Sequence, residues 1–139
     1  MTELIVADDE KNIRAGIIKI LGESFPGQLR IREAKNGEEA LSLAGESRPD
    51  IVITDIRMPK LDGVGLMRSL SAFERPPAII VLSGYDDFAY AREAIRSGAR
   101  AYILKPVDRN ELIAVTAAAV ADCERRRKSS VEEALRRIA

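Results

Sequence analysis

Four short apolar runs, each ending at a polar residue, constrain the fold of this chain more than any other feature. They cover residues 4–7, 51–54, 78–82 and 101–104. Runs of this length without polar alternation are typical of parallel strands that are covered on both faces. Between them, apolar residues recur at helical spacing, so the chain alternates strand and helix.

The alternation predicts five strand-helix units, with residues 29–33 as a second, weaker strand. Asn36 with Glu39, and Asp108 with Glu111, have the spacing of a capping box at a helix start, and Gly98 is suited to a helix end. Parallel strands need right-handed helical crossovers. We therefore expect an α/β fold, a flavodoxin-like doubly wound five-stranded parallel sheet in the order 2-1-3-4-5, with helices on both faces.

Composition excludes several classes of function. The 139 residues include no histidine and one cysteine, so imidazole catalysis, imidazole zinc sites and disulfide frameworks are excluded. Basic and acidic residues balance at 22 each, so no net charge attracts nucleic acid. We expect a cytoplasmic domain with no direct nucleic-acid binding, and no apolar run is long enough to span a membrane.

Polar residues directly follow the predicted strands. Asp8 and Asp9 follow the first strand, Asp55 the third, Ser83 the fourth and Lys105 the fifth. Taken singly, each is more often a cap or turn residue. Ligands of such sheets, however, bind at the carboxyl ends of the strands. Three carboxylates there would repel each other unless a hard cation, Mg²⁺ or alternatively Mn²⁺, neutralised them. A lysine and a hydroxyl beside them suit a phosphoryl group.

These residues belong to a set of motifs that resembles a known family. The motifs are Asp8-Asp9, Asp55-Ile56-Arg57-Met58-Pro59 with Asp62-Gly63, Ser83-Gly84 and Lys105-Pro106. Together they resemble the receiver domain of two-component response regulators over residues 2–124. The run from Ser83 through Tyr85 and Asp86 to Ala91 further resembles receivers joined to AraC-type DNA-binding domains.

The resemblance implies a role for each matching residue. Asp55 would be the phosphoacceptor, and Lys105 would pair with the phosphoryl oxygens and precede a cis proline. Asp9 and Asp55 would bind the metal directly, Asp8 through water, and Arg57 through its backbone carbonyl. Ser83 and Tyr102 would be the switch pair, although Tyr102, taken alone, is better explained as a half-exposed aromatic residue of the strand. Arg57 and Tyr85 would flank the site and shield the acyl phosphate.

The resemblance also implies function and partners. The chain would receive its phosphoryl group from a sensor histidine kinase and act as a switch, not as a turnover enzyme. Residues 1–124 would form the receiver and residues 125–139 the start of a linker helix to an output DNA-binding domain outside this chain. A phosphorylation-dependent homodimer is a further expectation.

Two other classes share parts of this pattern. A flavin-binding flavodoxin has the same fold, but the acidic residues 8–10 would repel the flavin phosphate. A phosphatase of the haloacid dehalogenase type also uses a strand-end aspartate, yet it needs a second acid two residues later, where this chain has Arg57. A phosphate-operated binding module is the better class.

The last fifteen residues carry a basic run and an apolar stripe. We interpret residues 125–128 as cations that complement the dipole at a helix end. Ser130 with Glu133 then predicts a new helix, on which Val131, Leu135 and Ile138 recur at helical spacing.

Overall fold

The structure is a computed structural model and describes residues 1–84 and 87–138. Ten elements alternate along the chain: β1 (Thr2–Ala7), α1 (Lys11–Ser24), β2 (Leu29–Ala34), α2 (Gly37–Ser47), β3 (Ile51–Asp55), α3 (Gly63–Ser71), β4 (Ala78–Ser83), α4 (Phe88–Arg96), β5 (Ala101–Leu104) and α5 (Arg109–Ile138). Every predicted strand is present, and most extend one or two residues further than the apolar runs.

The five strands form one parallel sheet in the order β2-β1-β3-β4-β5. The predicted doubly wound topology is therefore confirmed. β1 lies between β2 and β3, so the strand order reverses beside β1 and β3. A crevice between crossover loops opens at such a reversal, beyond the carboxyl ends of the strands.

Alternate strand residues pack into two cores, one on each face of the sheet. Leu4 and Val6 of β1 face α1 and α5, whereas Ile5 and Ala7 face α2, α3 and α4. The same alternation continues in β3 and β4. Strands covered on both faces are apolar at every position, which explains the uninterrupted runs in the sequence. No helix in the described ranges is both long and apolar enough to cross a membrane.

α5 is continuous over 30 residues, from Arg109 to Ile138. The prediction that Ser130 starts a new helix is wrong: no glycine or proline interrupts the chain there, and the helix passes through the capping-box sequence. The dipole interpretation of residues 125–128 is also wrong, because a helix dipole acts within the last turn and these residues lie inside the helix. Instead, Arg125 pairs with Asp122, and Arg127 donates to the Met1 carbonyl at 3.2 Å and to Thr2 Oγ1 at 3.1 Å.

α4 follows its predicted pattern in part. Ala91 and Ala94 are buried as expected, but Ile95 is half exposed, so the apolar face is narrower than its sequence suggests. Gly98 has a positive φ of 99° and ends the helix, and Ala99 N donates to Ala94 O at 3.0 Å. The predicted packing of the Phe88 side chain lies outside the described part of the structure.

Gly63 holds the start of α3 against the end of β3. Its N–H donates to Ile56 O at 2.8 Å, and a Cβ on Gly63 would lie 2.5 Å from the carbonyl oxygen of Asp55. Asp62 caps the same helix by accepting from Gly65 N at 2.8 Å. A glycine is therefore required where the helix approaches the backbone of the strand end.

Gly63→Ala is expected to lower the free energy of unfolding by about 1 to 3 kcal/mol, because the new methyl group would displace backbone atoms of Asp55. Gly45→Ala in α2 is the control. Its methyl would meet no atom within 4 Å outside its own helix, so it should stabilise the protein by about 0.5 to 1 kcal/mol. Urea unfolding of both variants measures the difference, and equal stabilities would contradict this packing argument.

Candidate functional site

Four strands deliver polar residues to the same edge of the sheet. Asp8 and Asp9 follow β1, Asp55 ends β3, Ser83 ends β4 and Lys105 follows β5. Asp55 is opposite Leu82, one residue before Ser83, and Lys105 N donates to Ser83 O at 2.8 Å. The parallel register thus places these residues at one carboxyl edge.

Three carboxylates form a cluster at this edge. One oxygen each from Asp8, Asp9 and Asp55 lies within 4.8 Å of the others. Asp8 and Asp55 are buried, whereas Asp9 is exposed. Asp8 Oδ1 accepts from Glu10 N at 2.9 Å, which turns the chain after β1. Within the described residues, no hydrogen bond or ion pair holds the Asp9 carboxylate, so it is free to bind a ligand.

Lys105 is the counterion of the two buried carboxylates. Its Nζ lies 2.9 Å from Asp55 Oδ2 and 3.1 Å from Asp8 Oδ2. The contact with Asp8 has the distance of an ion pair but not the direction of a hydrogen bond, since Asp8 Oδ2 has no hydrogen-bond partner in the described structure. The Lys105–Pro106 peptide bond is cis, as predicted. One ammonium thus contacts two of the three carboxylates.

The pKa of Asp55 reflects this imbalance. Burial raises it, the hydrogen bond from Lys105 lowers it and the charge of Asp8 raises it again, and the net result lies above the ordinary value of 3.8. For Lys105, burial alone would lower the pKa, but the hydrogen bond and the charge of Asp55, aided by Asp8, outweigh burial and raise it. The lysine is therefore fully charged at neutral pH.

The donor set suits a hard divalent cation. All three side chains offer carboxylate oxygens, the ligands that Mg²⁺ prefers. Asp8 Oδ2 is a buried oxygen that still lacks a hydrogen bond among the described residues, and such an atom is costly unless it gains a partner. Residues and charge therefore fit a magnesium ion, which would complete the neutralisation that Lys105 begins.

Arg57 follows the acidic strand end and turns away from it. Its backbone N lies 3.4 Å from Asp55 Oδ1, a weak hydrogen bond that orients the carboxylate. Its guanidinium pairs with Asp87 and lies 5.2 Å from the centre of the Tyr90 ring. The loop after β3 is thereby tied to the start of α4, beside the candidate site. The predicted shielding residue Tyr85 lies outside the described residues, as does Asp86.

The predicted switch residues lie on the neighbouring strands β4 and β5. Ser83 is buried, and its hydroxyl lies 3.4 Å from Gly84 O, so no strong hydrogen bond fixes it among the described residues. Tyr102 is 44% exposed on β5 and points away from the core. The structure thus has a weakly held hydroxyl near the site and an outward aromatic on the edge strand.

Two charged residues near the site were not predicted from the sequence. Asp87 is buried. Its carboxylate forms an ion pair with Arg57 and accepts a hydrogen bond from Gly84 N at 3.1 Å. Arg14 of α1 donates to the carbonyl of Asp8 at 2.8 Å. Asp87 resembles an ordinary helix cap in sequence, and Arg14 lies at a polar helix position, so only their partners across the fold distinguish them.

Comparison with protein families agrees with this geometry. A family model described as the response regulator receiver domain matches residues 4–117. The chain belongs to this family. The resemblance inferred from the motifs is therefore confirmed.

Individual relatives are transcriptional regulators. The uncharacterized transcriptional regulatory protein YesN of Bacillus subtilis is 37% identical over 125 residues, which cover 90% of this chain and 34% of that protein. Transcriptional regulatory protein HptR of Staphylococcus aureus is 40% identical over 112 residues, 81% of this chain and 44% of that protein. The chain thus spans less than half the length of these relatives.

The fold has a matching solved structure at similar identity. The REC domain of AraT, a response regulator from Geobacillus stearothermophilus, superposes with a TM-score of 0.81 at 38% identity, covering 91% of this chain and 98% of that domain.

Asp55→Asn is expected to raise the free energy of unfolding at pH 7 in metal-free buffer. Because the pKa of Asp55 is raised in the folded protein, the unfolded state releases this proton first as pH rises, and stability falls. The amide of asparagine does not ionise, so the variant does not lose this stability as pH rises. The gain should vanish below about pH 3.5, where the carboxyl is protonated in both states.

Urea unfolding from pH 3 to pH 8 measures this difference. Asp108→Asn is the control, since Asp108 caps α5 by accepting from Glu111 N at 2.9 Å and asparagine caps equally well. A gain for Asp55→Asn that is the same at every pH would refute the electrostatic explanation.

Proposed function

We propose that this chain accepts a phosphoryl group on Asp55 from a phosphohistidine of a sensor histidine kinase, in a magnesium-dependent reaction, and thereby switches an output. The observation that carries the proposal is the ammonium of Lys105 shared by Asp55 and Asp8 at 2.9 and 3.1 Å. A carboxylate held beside a cation at the edge of a crevice has both the nucleophile and the charge that phosphoryl transfer requires.

The proposed transfer uses the Asp55 carboxylate and groups that already contact it. A carboxylate oxygen of Asp55 attacks phosphorus, the bond from phosphorus to the donor's imidazole nitrogen breaks with its electron pair left on that nitrogen, and an acyl phosphate forms. The N–H of Arg57 orients the attacking carboxylate. Lys105 then transfers its hydrogen bond from Asp55 to the new phosphoryl oxygens, which carry more charge.

The metal site would draw on the same residues. Asp9 and Asp55, with the backbone carbonyl of Arg57, would hold Mg²⁺ directly and Asp8 through water, and the bound ion supplies positive charge to the phosphoryl oxygens. Mn²⁺ has the same ligand preference and could replace it. The exposed position of Asp9 supports this role, because an incoming ion must lose water as it reaches its ligands.

The conformational response is assigned to Ser83 and Tyr102. The weakly held hydroxyl of Ser83 would move to donate to the phosphoryl group, and the Tyr102 ring would turn inward into the space that this movement vacates. The present outward position of Tyr102 fits the unphosphorylated state of such a switch.

The regulatory relatives suggest the output. We propose that residues 1–124 form a cytoplasmic phosphoacceptor domain, that residues 125–139 begin a linker helix, and that an AraC-type DNA-binding domain outside this chain controls transcription. The chain itself would not bind DNA, and its exposed Val131, Leu135 and Ile138 could pair two copies after phosphorylation. Catalysis would be limited to the chain's own phosphorylation and dephosphorylation.

A small phosphodonor such as phosphoramidate, together with Mg²⁺, is expected to add one phosphoryl group to the protein, and Asp55→Asn should abolish the addition. Intact mass spectrometry measures it. Asp62→Asn is the matched control, since this nearby residue is a helix cap that asparagine can replace. Equal labelling of Asp55→Asn and the parent, or full labelling in EDTA, would disprove the proposal.

Lys105→Ala should still fold and accept some phosphoryl group, but phosphorylation should change its conformation less than in the parent. The lysine binds the added charge in one state only, and coupling of this kind is usually about 1 to 3 kcal/mol. Hydrogen exchange across β4, α4 and β5, before and after phosphorylation, gives the measurement. Lys128→Ala, an exposed lysine of α5, should respond like the parent. An unchanged response in Lys105→Ala would exclude this role.

A further inference from the structure

Arg14 is a largely buried cation next to the carboxylate cluster that the proposed reaction does not use. It lies on the first turns of α1, and its side chain is 12% exposed. Its Nη1 donates to the backbone carbonyl of Asp8 at 2.8 Å, and its Nε donates to Glu33 Oε1 of β2 at 2.9 Å. One guanidinium thus connects α1, the end of β2 and the loop that carries Asp8 and Asp9.

The carbonyl that Arg14 binds belongs to the peptide between Asp8 and Asp9. A peptide group is planar, so fixing its oxygen also fixes the nitrogen and Cα of the next residue. The other contacts of this loop act on Asp8: its N–H donates to Ala34 O at 3.1 Å and its Oδ1 accepts from Glu10. In the described structure, the Glu10 N–H bond to Asp8 Oδ1 holds the peptide after Asp9, and Arg14 holds the peptide before it.

Asp9 has particular need of such a contact. Its carboxylate is exposed and has no partner of its own among the described residues, yet it must stay within 4.8 Å of oxygens on Asp8 and Asp55. Repulsion from those two carboxylates would move Asp9 away in the metal-free protein. A backbone held in place limits that movement without occupying the oxygens that a metal would bind.

A contribution to the stability of the fold does not by itself explain the buried position of Arg14. Its carboxylate partner Glu33 is 59% exposed, and an ion pair with an exposed acid contributes little. Burial of a guanidinium costs free energy that this pair does not fully return. The hydrogen bond to the Asp8 carbonyl is the contact that distinguishes Arg14 from a surface arginine.

We propose that Arg14 is a positioning residue for the metal site: it holds the Asp8–Asp9 peptide so that the Asp9 carboxylate stays in reach of the ion. The inference rests on the proposed magnesium-dependent function. Partners behind metal ligands of this kind typically change metal affinity by about 10- to 100-fold when removed.

Arg14→Met and Arg14→Lys test the inference. The affinity for Mn²⁺ should fall about tenfold or more in Arg14→Met. Loss of the electron paramagnetic resonance signal of the free ion measures Mn²⁺ binding, and competition with Mg²⁺ gives the Mg²⁺ affinity. Arg14→Lys can donate one hydrogen bond and should fall between Arg14→Met and the parent. Phosphoramidate labelling should need correspondingly more Mg²⁺ for half its maximal rate, while the rate at saturating Mg²⁺ stays within about twofold of the parent, since no group that contacts phosphorus is lost.

Arg30→Met is the matched control. Arg30 lies on β2, the strand of Glu33, but it pairs with Glu3 at 3.2 Å, away from the cluster. It should bind Mn²⁺ like the parent. Parental or tighter Mn²⁺ affinity in folded Arg14→Met would overturn the inference. If Arg14→Met does not fold, parental affinity in Arg14→Lys overturns it instead. A parent protein that binds neither Mn²⁺ nor Mg²⁺ would refute the proposed function itself, which separates the two failures.

Discussion

Repulsion among three carboxylates at one sheet edge is the constraint on which the rest of the structure depends. Two like charges 4 Å apart cost about 4 kcal/mol at the effective dielectric constant of a partly buried site. Asp8 and Asp55 are buried, so water screens their repulsion poorly. Lys105 supplies one positive charge that offsets part of it. Folding holds this arrangement because two apolar cores fix β1, β3 and β5, which bring the charges from distant parts of the chain. The excess negative charge remains available to a cation.

The sheet and the cluster could be predicted because both depend on local patterns. Continuous apolar runs such as residues 51–54 occur where both faces of a strand are covered, and a polar residue ends each run at the point where the strand leaves the core. Parallel strands share one direction, so the ends of β1, β3 and β5 must meet at one edge. Asp8, Asp55 and Lys105 could therefore be grouped from the sequence alone.

The parts that escaped prediction depend on partners distant in sequence. The contact between Arg14 and the Asp8 carbonyl depends on how α1 packs beside β2, and the pair of Arg57 with Asp87 depends on where α4 begins. At Ser130 a local signal failed, because a capping-box sequence marks a helix start only where the preceding residues leave the helix. Here α5 continues, and its earlier turns, packed through Leu112, Ala119 and Cys123, already fix its direction.

The last turns of α5 extend beyond Arg127, the residue through which the helix contacts the start of β1. The helix begins four residues after Lys105, crosses the domain and reaches the opposite edge of the sheet, where Arg127 binds Met1 and Thr2. The eleven residues that follow Arg127, up to Ile138, extend roughly 17 Å. If α5 tilted by about 10° about Arg127, its Ile138 end would therefore move by roughly 3 Å. A helical extension of this length would convert a small change in the direction of α5 into a translation of atomic size at its far end.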